Sequence, residues 1–333
     1  MNCFETVWDF IKAIPEIDLD DFTLDQVVNT DYVFPKGGQI MRHMKTPQGK
    51  KEMAMMQARN IDYPLEGIDL PKYQPKNAWN LHEELRPLLG GSAVQGKRWD
   101  FLSSPGKMIN RTFSLPTHMC NVGGKLREVP GSVCEHCYAH GSNYNYNAVQ
   151  QKLLRNYNAL TSSDPVEWAS AVAGAIPGET TRFPMFRFHD SGDLHSASHA
   201  SMIADISSNN PDVMNWLPTR EWEMIADLVR ARGGDLPPNF VPRISLPMVN
   251  QTLDNDENER RGVDSLPQEL IDLIQDNPQV DYSTVITKPE YRSSRSSVLC
   301  PASNPIVGGN TCADNKCSAC YNPKVKATEY FKH

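Results

Sequence analysis

FRFHDSGDLHS, residues 186–196, reads as the end of a strand, a turn and the start of a helix. Phe186 and Phe188 alternate with Arg187 and His189, so an extended chain here puts two rings on one face and the Arg and His on the other. Gly192 permits a sharp turn that would project Asp190 and Asp193 into one pocket, and Ser196 is a suitable helix cap. Further along the chain the pattern repeats. A strand over 183–189 is followed by a helix over 196–208, and a strand over 213–218 by a helix over 221–232 that stops at Gly233-Gly234; a third strand covers 241–246. The strand starts at 183, 213 and 241 lie about thirty residues apart, the length a crossover helix needs to return the chain to a parallel neighbour. The expected fold is α/β, either a partial (β/α) barrel or an open parallel sheet, with cysteine-rich metal-binding loops and a site at the C-terminal strand ends.

Upstream, 110–114 reads as a strand delivering Cys120 into a loop, 149–160 as a helix, and 165–172 as the start of another with Pro165 in its first turn. Downstream, 250–261 reads as an exposed polar loop and 267–274 as the final helix. Three regions follow: 1–106, a mixed N-terminal region or lid; 107–299, an α/β core with the first cysteine group; and 300–333, a C-terminal cysteine-rich segment. A hydrophobic fraction of 39% with six Trp, eleven Tyr and eleven Phe is sufficient for a core. The net charge of −7 offers no general attraction for nucleic acid. Lys36, Arg42, His43, Lys45, Lys50 and Lys51 form the richest basic stretch and read as a solvated loop. No run of eighteen apolar residues occurs and the first twenty residues do not resemble a secretory signal, so a cytoplasmic protein with no membrane partner is expected.

Seven of the eight cysteines fall into two groups, with Cys3 apart. Cys120, Cys134 and Cys137 are spaced C-x13-C-x2-C, and Cys300, Cys312, Cys317 and Cys320 C-x11-C-x4-C-x2-C. In a reducing compartment, thiols at such spacings are metal ligands rather than disulfides. The second group alone can close a 4Fe-4S cluster or a zinc site. The first leaves one iron of a cubane open to a small molecule, whereas zinc would take a fourth ligand such as His118, His136 or His140. Tyr138 and Tyr321 each follow a C-x2-C pair and are placed to shield a centre from water.

The polar residues near the strand ends are Arg187, His189, Asp190, Asp193 and Arg220, suited to orienting a substrate or moving a proton. Arg243 and Ser245 share one strand face; Lys107 and Arg111 are weaker anion-binding candidates; His195 and His199, without an intervening H-E-x-x-H glutamate, are weak zinc ligands. The sequence contains no dinucleotide, P-loop or serine-hydrolase motif.

RTFSLP (111–116), CEHCYAHG (134–141), FRFHDSGDL (186–194), WLPTRE (216–221) and CSACYNP (317–323) together resemble a phage-encoded family named for gene product eighty-eight, over residues 107–333. That resemblance implies a viral origin, a host cytoplasm and iron–sulfur chemistry. The arrangement is also distantly similar to radical S-adenosylmethionine enzymes. By that likeness Cys120, Cys134 and Cys137 would hold a cluster that binds the cofactor, and Cys300, Cys312, Cys317 and Cys320 an auxiliary one. The chain departs from that superfamily in having thirteen residues, not three, between the first two cysteines, with Pro130 where the first ligand would stand. The leading expectation is one or two 4Fe-4S clusters, with S-adenosylmethionine as a further cofactor, serving redox or radical chemistry on a small molecule or nucleotide with an electron donor as partner. The alternative is a non-catalytic zinc or iron–sulfur protein that binds a host protein or nucleic acid.

Overall fold

The computed structural model describes residues 45–73, 101–294, 296–304 and 311–332. Eight strands make one open, mostly parallel sheet in the order β1-β2-β3-β4-β5-β6-β8-β7. They are β1 (Leu102–Ser103), β2 (Thr112–Phe113), β3 (Met185–Phe188), β4 (Met214–Thr219), β5 (Phe240–Ser245), β6 (Asp281–Ile286), β7 (Val298–Leu299) and β8 (Ala327–Phe331). Only the β1–β2 pair among them is antiparallel.

Helix α1 (Pro47–Gln57) precedes the sheet, and α2 (Val122–Leu126) and α3 (Asn147–Ser162) follow β2. The crossovers that follow carry α4 (Pro165–Glu179), α5 (Ala197–Asn209), α6 (Trp222–Ala231), and α7 (Asn255–Arg260) with α8 (Gln268–Asp276). Because β2 to β6 are neighbours in chain order, right-handed crossovers stack the helices on one face of the sheet. There α4 packs on α5, α5 on α6 and α6 on α8. Phe186, Phe188, Leu217, Phe240 and Ile244 form the sheet's contribution to that core. The register sets Arg187 beside Trp216, Pro218 beside Arg243, Arg243 beside Asp281 and Val285 beside Tyr330. Side chains alternate along each strand, so Arg187, Trp216, Arg243, Asp281 and Tyr330 share the face away from the helices. One face of the sheet is thus largely apolar and helix-covered over β3 to β5, and the other polar and aromatic.

The three expected strands and the two helices between them form within one or two residues of the expected limits. Ser196 caps α5 by accepting from His199 N at 3.1 Å, and Gly233 and Gly234 take positive φ after α6. His189 departs from the expected alternation. Its φ of 61° takes it out of the strand, and its ring packs near Phe113, Phe188 and His199 instead of beside Arg187. The expected loop over 250–261 contains α7, capped by Asp254, with Asn258 fully buried. After α8 come three strands that the sequence reading did not anticipate. Cys3, Lys36, Arg42 and His43 lie outside the described residues. Among the described residues no helix is long and apolar enough to cross a membrane.

Candidate metal centres

The first cysteine group gathers beyond the C-terminal ends of β2 to β5. A 3-10 turn, Thr117–Met119, ends at Cys120, and Cys137 N donates to Cys134 O at 3.2 Å. The loop is laced to the segment after β5 by Val133 N to Pro247 O at 2.9 Å and Val249 N to Gly131 O at 3.1 Å. Gly123 brings α2 close: a Cβ there would lie 3.5 Å from Cys134 Sγ and 3.9 Å from Cys120 Sγ.

Charged side chains border these thiols. The Arg220 guanidinium is an electrostatic neighbour of Cys134 and donates to Ser245 O at 3.0 Å and Leu246 O at 2.9 Å. Asp193 accepts from Thr219 Oγ1 at 2.5 Å, Arg220 N at 2.9 Å and Leu194 N at 2.8 Å. Glu221, 3% exposed, accepts from Val122 N at 2.9 Å, two residues past Cys120. Burial, and then the neighbouring Asp193 charge, pushes its carboxyl up to about 8. Burial also raises the Cys120 and Cys134 thiols, and Arg220 opposes that rise at Cys134.

The second group lies on the polar face of the sheet. Cys300, Cys312, Cys317 and Cys320 line one cavity together with Trp216 and Tyr321. Backbone bonds fix the loop: Cys300 N to Glu329 O at 2.7 Å, Cys312 N to Lys107 O at 3.0 Å and Cys317 N to Cys312 O at 3.0 Å. Cys320 Sγ lies 3.1 Å from the Tyr330 hydroxyl. Burial, followed by the three companion thiols, pushes Cys312 up to about 12. All seven of these cysteines are free. Among the described residues no three His, Cys, Asp or Glu side chains are placed to hold a single metal ion.

Residues 86–324 match the profile of the protein family described as Gene product 88. The chain belongs to that family. No curated protein and no solved structure matches it.

In this Gene product 88 chain the strand-end residues expected to share a pocket separate into two sets. Asp193 and Arg220 border the first thiol group, as above. Asp190 is taken up by hydroxyls: Thr112 and Ser114 donate to Oδ1, and Tyr144 to Oδ2 at 2.6 Å, while Tyr138 donates to its carbonyl. His189 is 2% exposed, neither ring nitrogen has a partner among the described residues, and burial lowers its pKa to about 3, so it sits neutral among aromatic rings. Arg187 lies over the Trp216 ring at 4.5 Å and donates to His189 O at 3.0 Å.

The weaker candidates have other partners. Arg243 is fully buried and pairs with Asp281 at 3.2 Å. His195 bonds Tyr157 at 2.8 Å and Arg59 O at 2.6 Å, and Arg111 pairs with Glu179 at 3.7 Å. Glu221, expected as an ion-pair partner for Arg220, instead accepts from Val122 N, and Tyr144, expected only for stacking, instead donates to Asp190; Tyr330 was not expected at a site. Glu221 adjoins Arg220 in WLPTRE, which is its one local signal; Tyr330 reaches Cys320 only through strand pairing.

Proposed function

We propose that this chain is an iron–sulfur protein that carries out redox or radical-type chemistry on a small molecule or nucleotide. The observation that carries this reading is the gathering of four thiols on one cavity, and of Cys120 and Cys134 around Gly123 with Cys137 close to both. The donor sets fit such clusters: they are all sulfur, partly or wholly buried, and each has an arginine nearby to balance thiolate charge. Zinc would draw its sulfurs to about 3.8 Å from one another around one ion, given Zn–S bonds near 2.3 Å. A cubane seats each sulfur on a different corner and so takes a wider set, and the metal and sulfide count below separates the two.

Cys120, Cys134 and Cys137 would hold one 4Fe-4S cluster with an open iron, and Cys300, Cys312, Cys317 and Cys320 a second. A bound cluster with an open iron supplies one-electron chemistry and a coordination position, for which S-adenosylmethionine is the cofactor to test. The chain's own residues do the rest. Arg220 neighbours Cys134 and, with Asp193, sets the charge at the edge of the open site. Glu221 retains a proton near neutral pH and is the proton-holding group beside Cys120. His189 and Asp190 hold the β3 end in place, leaving Asp193, Arg220 and Glu221 to meet the substrate.

The test is iron, zinc and acid-labile sulfide per chain after anaerobic purification. About eight irons and eight sulfides are expected, the content of two cubanes, and the reduced protein should then cleave S-adenosylmethionine. Zinc without sulfide would overturn the reading in favour of a structural protein. Full iron with no cofactor cleavage would remove the radical version and leave the redox one.

A further inference from the structure

Arg187 neighbours residues that flank each of the two thiol groups. On one side its guanidinium carbon is 4.5 Å from the centre of the Trp216 ring. Trp216 lines the four-thiol cavity and meets Tyr321, the neighbour of Cys320, edge-on at 5.4 Å. On the other side Arg187 is an electrostatic neighbour of Tyr138, the residue after Cys137. Its Nη1 lies 3.5 Å from Met108 Sδ, and its Nε has no hydrogen-bond partner among the described residues. Met108 adjoins Lys107, whose carbonyl holds Cys312 N, so the same short segment ties the second loop to Arg187.

We infer that Arg187 is a cation shared by the two thiol groups, so that it sets the reduction potentials of both clusters and couples one to the other. The inference rests on the iron–sulfur reading above and goes beyond it in naming what links the centres. Its charge reaches the second group, where it favours the thiolate forms of Cys312 and Cys320. At the first group the Tyr138 hydroxyl is near both Arg187 and Cys137. Reduction adds one electron to a centre and breaks no ligand bond. A nearby cation favours the more negative, reduced form, and does so strongly where water is excluded. One residue should therefore raise both potentials.

The experiment is a redox titration with dithionite as electron donor, followed by electron paramagnetic resonance, on the wild type, Arg187→Gln and Arg187→Lys. Iron and sulfide are counted first. With full iron in all three proteins, Arg187→Gln should move both midpoint potentials to more negative values, while Arg187→Lys, which keeps the charge, should stay near the wild type. A shift at one centre only, or at neither, would overturn the inference and leave the iron–sulfur reading intact. Zinc without sulfide would overturn both, and it would do so at the metal count. Should Arg187→Gln not accumulate as folded protein, the wild type carries the test. Spin relaxation of one reduced centre should quicken when the other is reduced, and independent relaxation would overturn the coupling.

Discussion

Glu221 and Gly123 act at the first thiol group in different ways. Glu221 keeps its proton up to about pH 8 because it is buried beside Asp193. The unfolded chain releases that proton near 4.5, so as pH rises from about 4.5 to 8 the unfolded state gains an ionisation that the folded state lacks, and stability falls. Glu221→Gln removes the dependence while keeping an acceptor for Val122 N. The variant should match the wild type near pH 5 and exceed it by on the order of 3 kcal/mol at pH 8, as read from urea unfolding at each pH. Gly123 lies within a helix, where alanine is favoured by about 1 kcal/mol over glycine, yet its Cβ would press to 3.3 Å on Cys120 Cβ. Gly123→Ala should leave the fold intact and lower bound iron and sulfide to about half, with the second group still loaded. Unchanged iron would show that α2 does not crowd the first centre. The cysteines were legible in sequence because metal ligands cluster at short spacings. The partners of Asp190 were not, because Thr112, Ser114 and Tyr144 come from other strands and loops and share no local pattern with it.

The β3–α5 connection shows how an element boundary is enforced. Gly192 has φ +77° and a Cβ there would fall 2.6 Å from Leu115 Cβ and O, while Leu115 N donates to Ser191 O at 2.9 Å and Ser191 Oγ to Leu115 O at 2.8 Å. The turn is therefore pressed against the chain leaving β2, and backbone cannot move aside cheaply. Gly192→Ala should cost roughly 3 kcal/mol or more, combining a disfavoured φ with overpacking. Gly234→Ala is the control: its φ is +86° but nothing lies within 4 Å of a Cβ, so only the conformational cost of about 1 kcal/mol is expected. Equal losses in denaturant midpoint would mean that contact with Leu115 contributes nothing. Elements β3 and β4 were legible because each is an apolar run followed by a capped or glycine-stopped helix, and β5 because its apolar run falls at the same spacing of about thirty residues. By contrast β6 and β8 carry buried Asp281, Ser283, Thr284, Thr328 and Glu329, so their polar composition masks their position inside the sheet. His189 broke the alternation because a positive φ at a strand end has no signature in residue type.

At the scale of the whole molecule, the polar face of the sheet is covered by the cysteine-rich segment, which meets it at the four-thiol cavity. Cys300 follows β7 and Cys320 precedes β8, and the loop between them touches the rest of the protein through Trp216, Lys107 O and the Tyr330 hydroxyl. Four thiols lining that cavity with nothing to join them would leave the segment held by a few hydrogen bonds, each contributing about 1 kcal/mol net. A metal group bound to all four would close the loop and add its binding free energy to folding locally. The helix-covered face needs no such tie, since Trp168, Ile203, Ile206 and Leu228 form a continuous apolar core with the sheet. Stripping metal with a chelator under reducing conditions should therefore raise amide hydrogen exchange in residues 298–304 and 311–330 by at least tenfold. Exchange in β3, β4, α5 and α6 should change little, because their protection comes from packing. Uniform loss of protection across the sheet would show instead that the metal centres hold the entire fold together, and that the two faces are one cooperative unit.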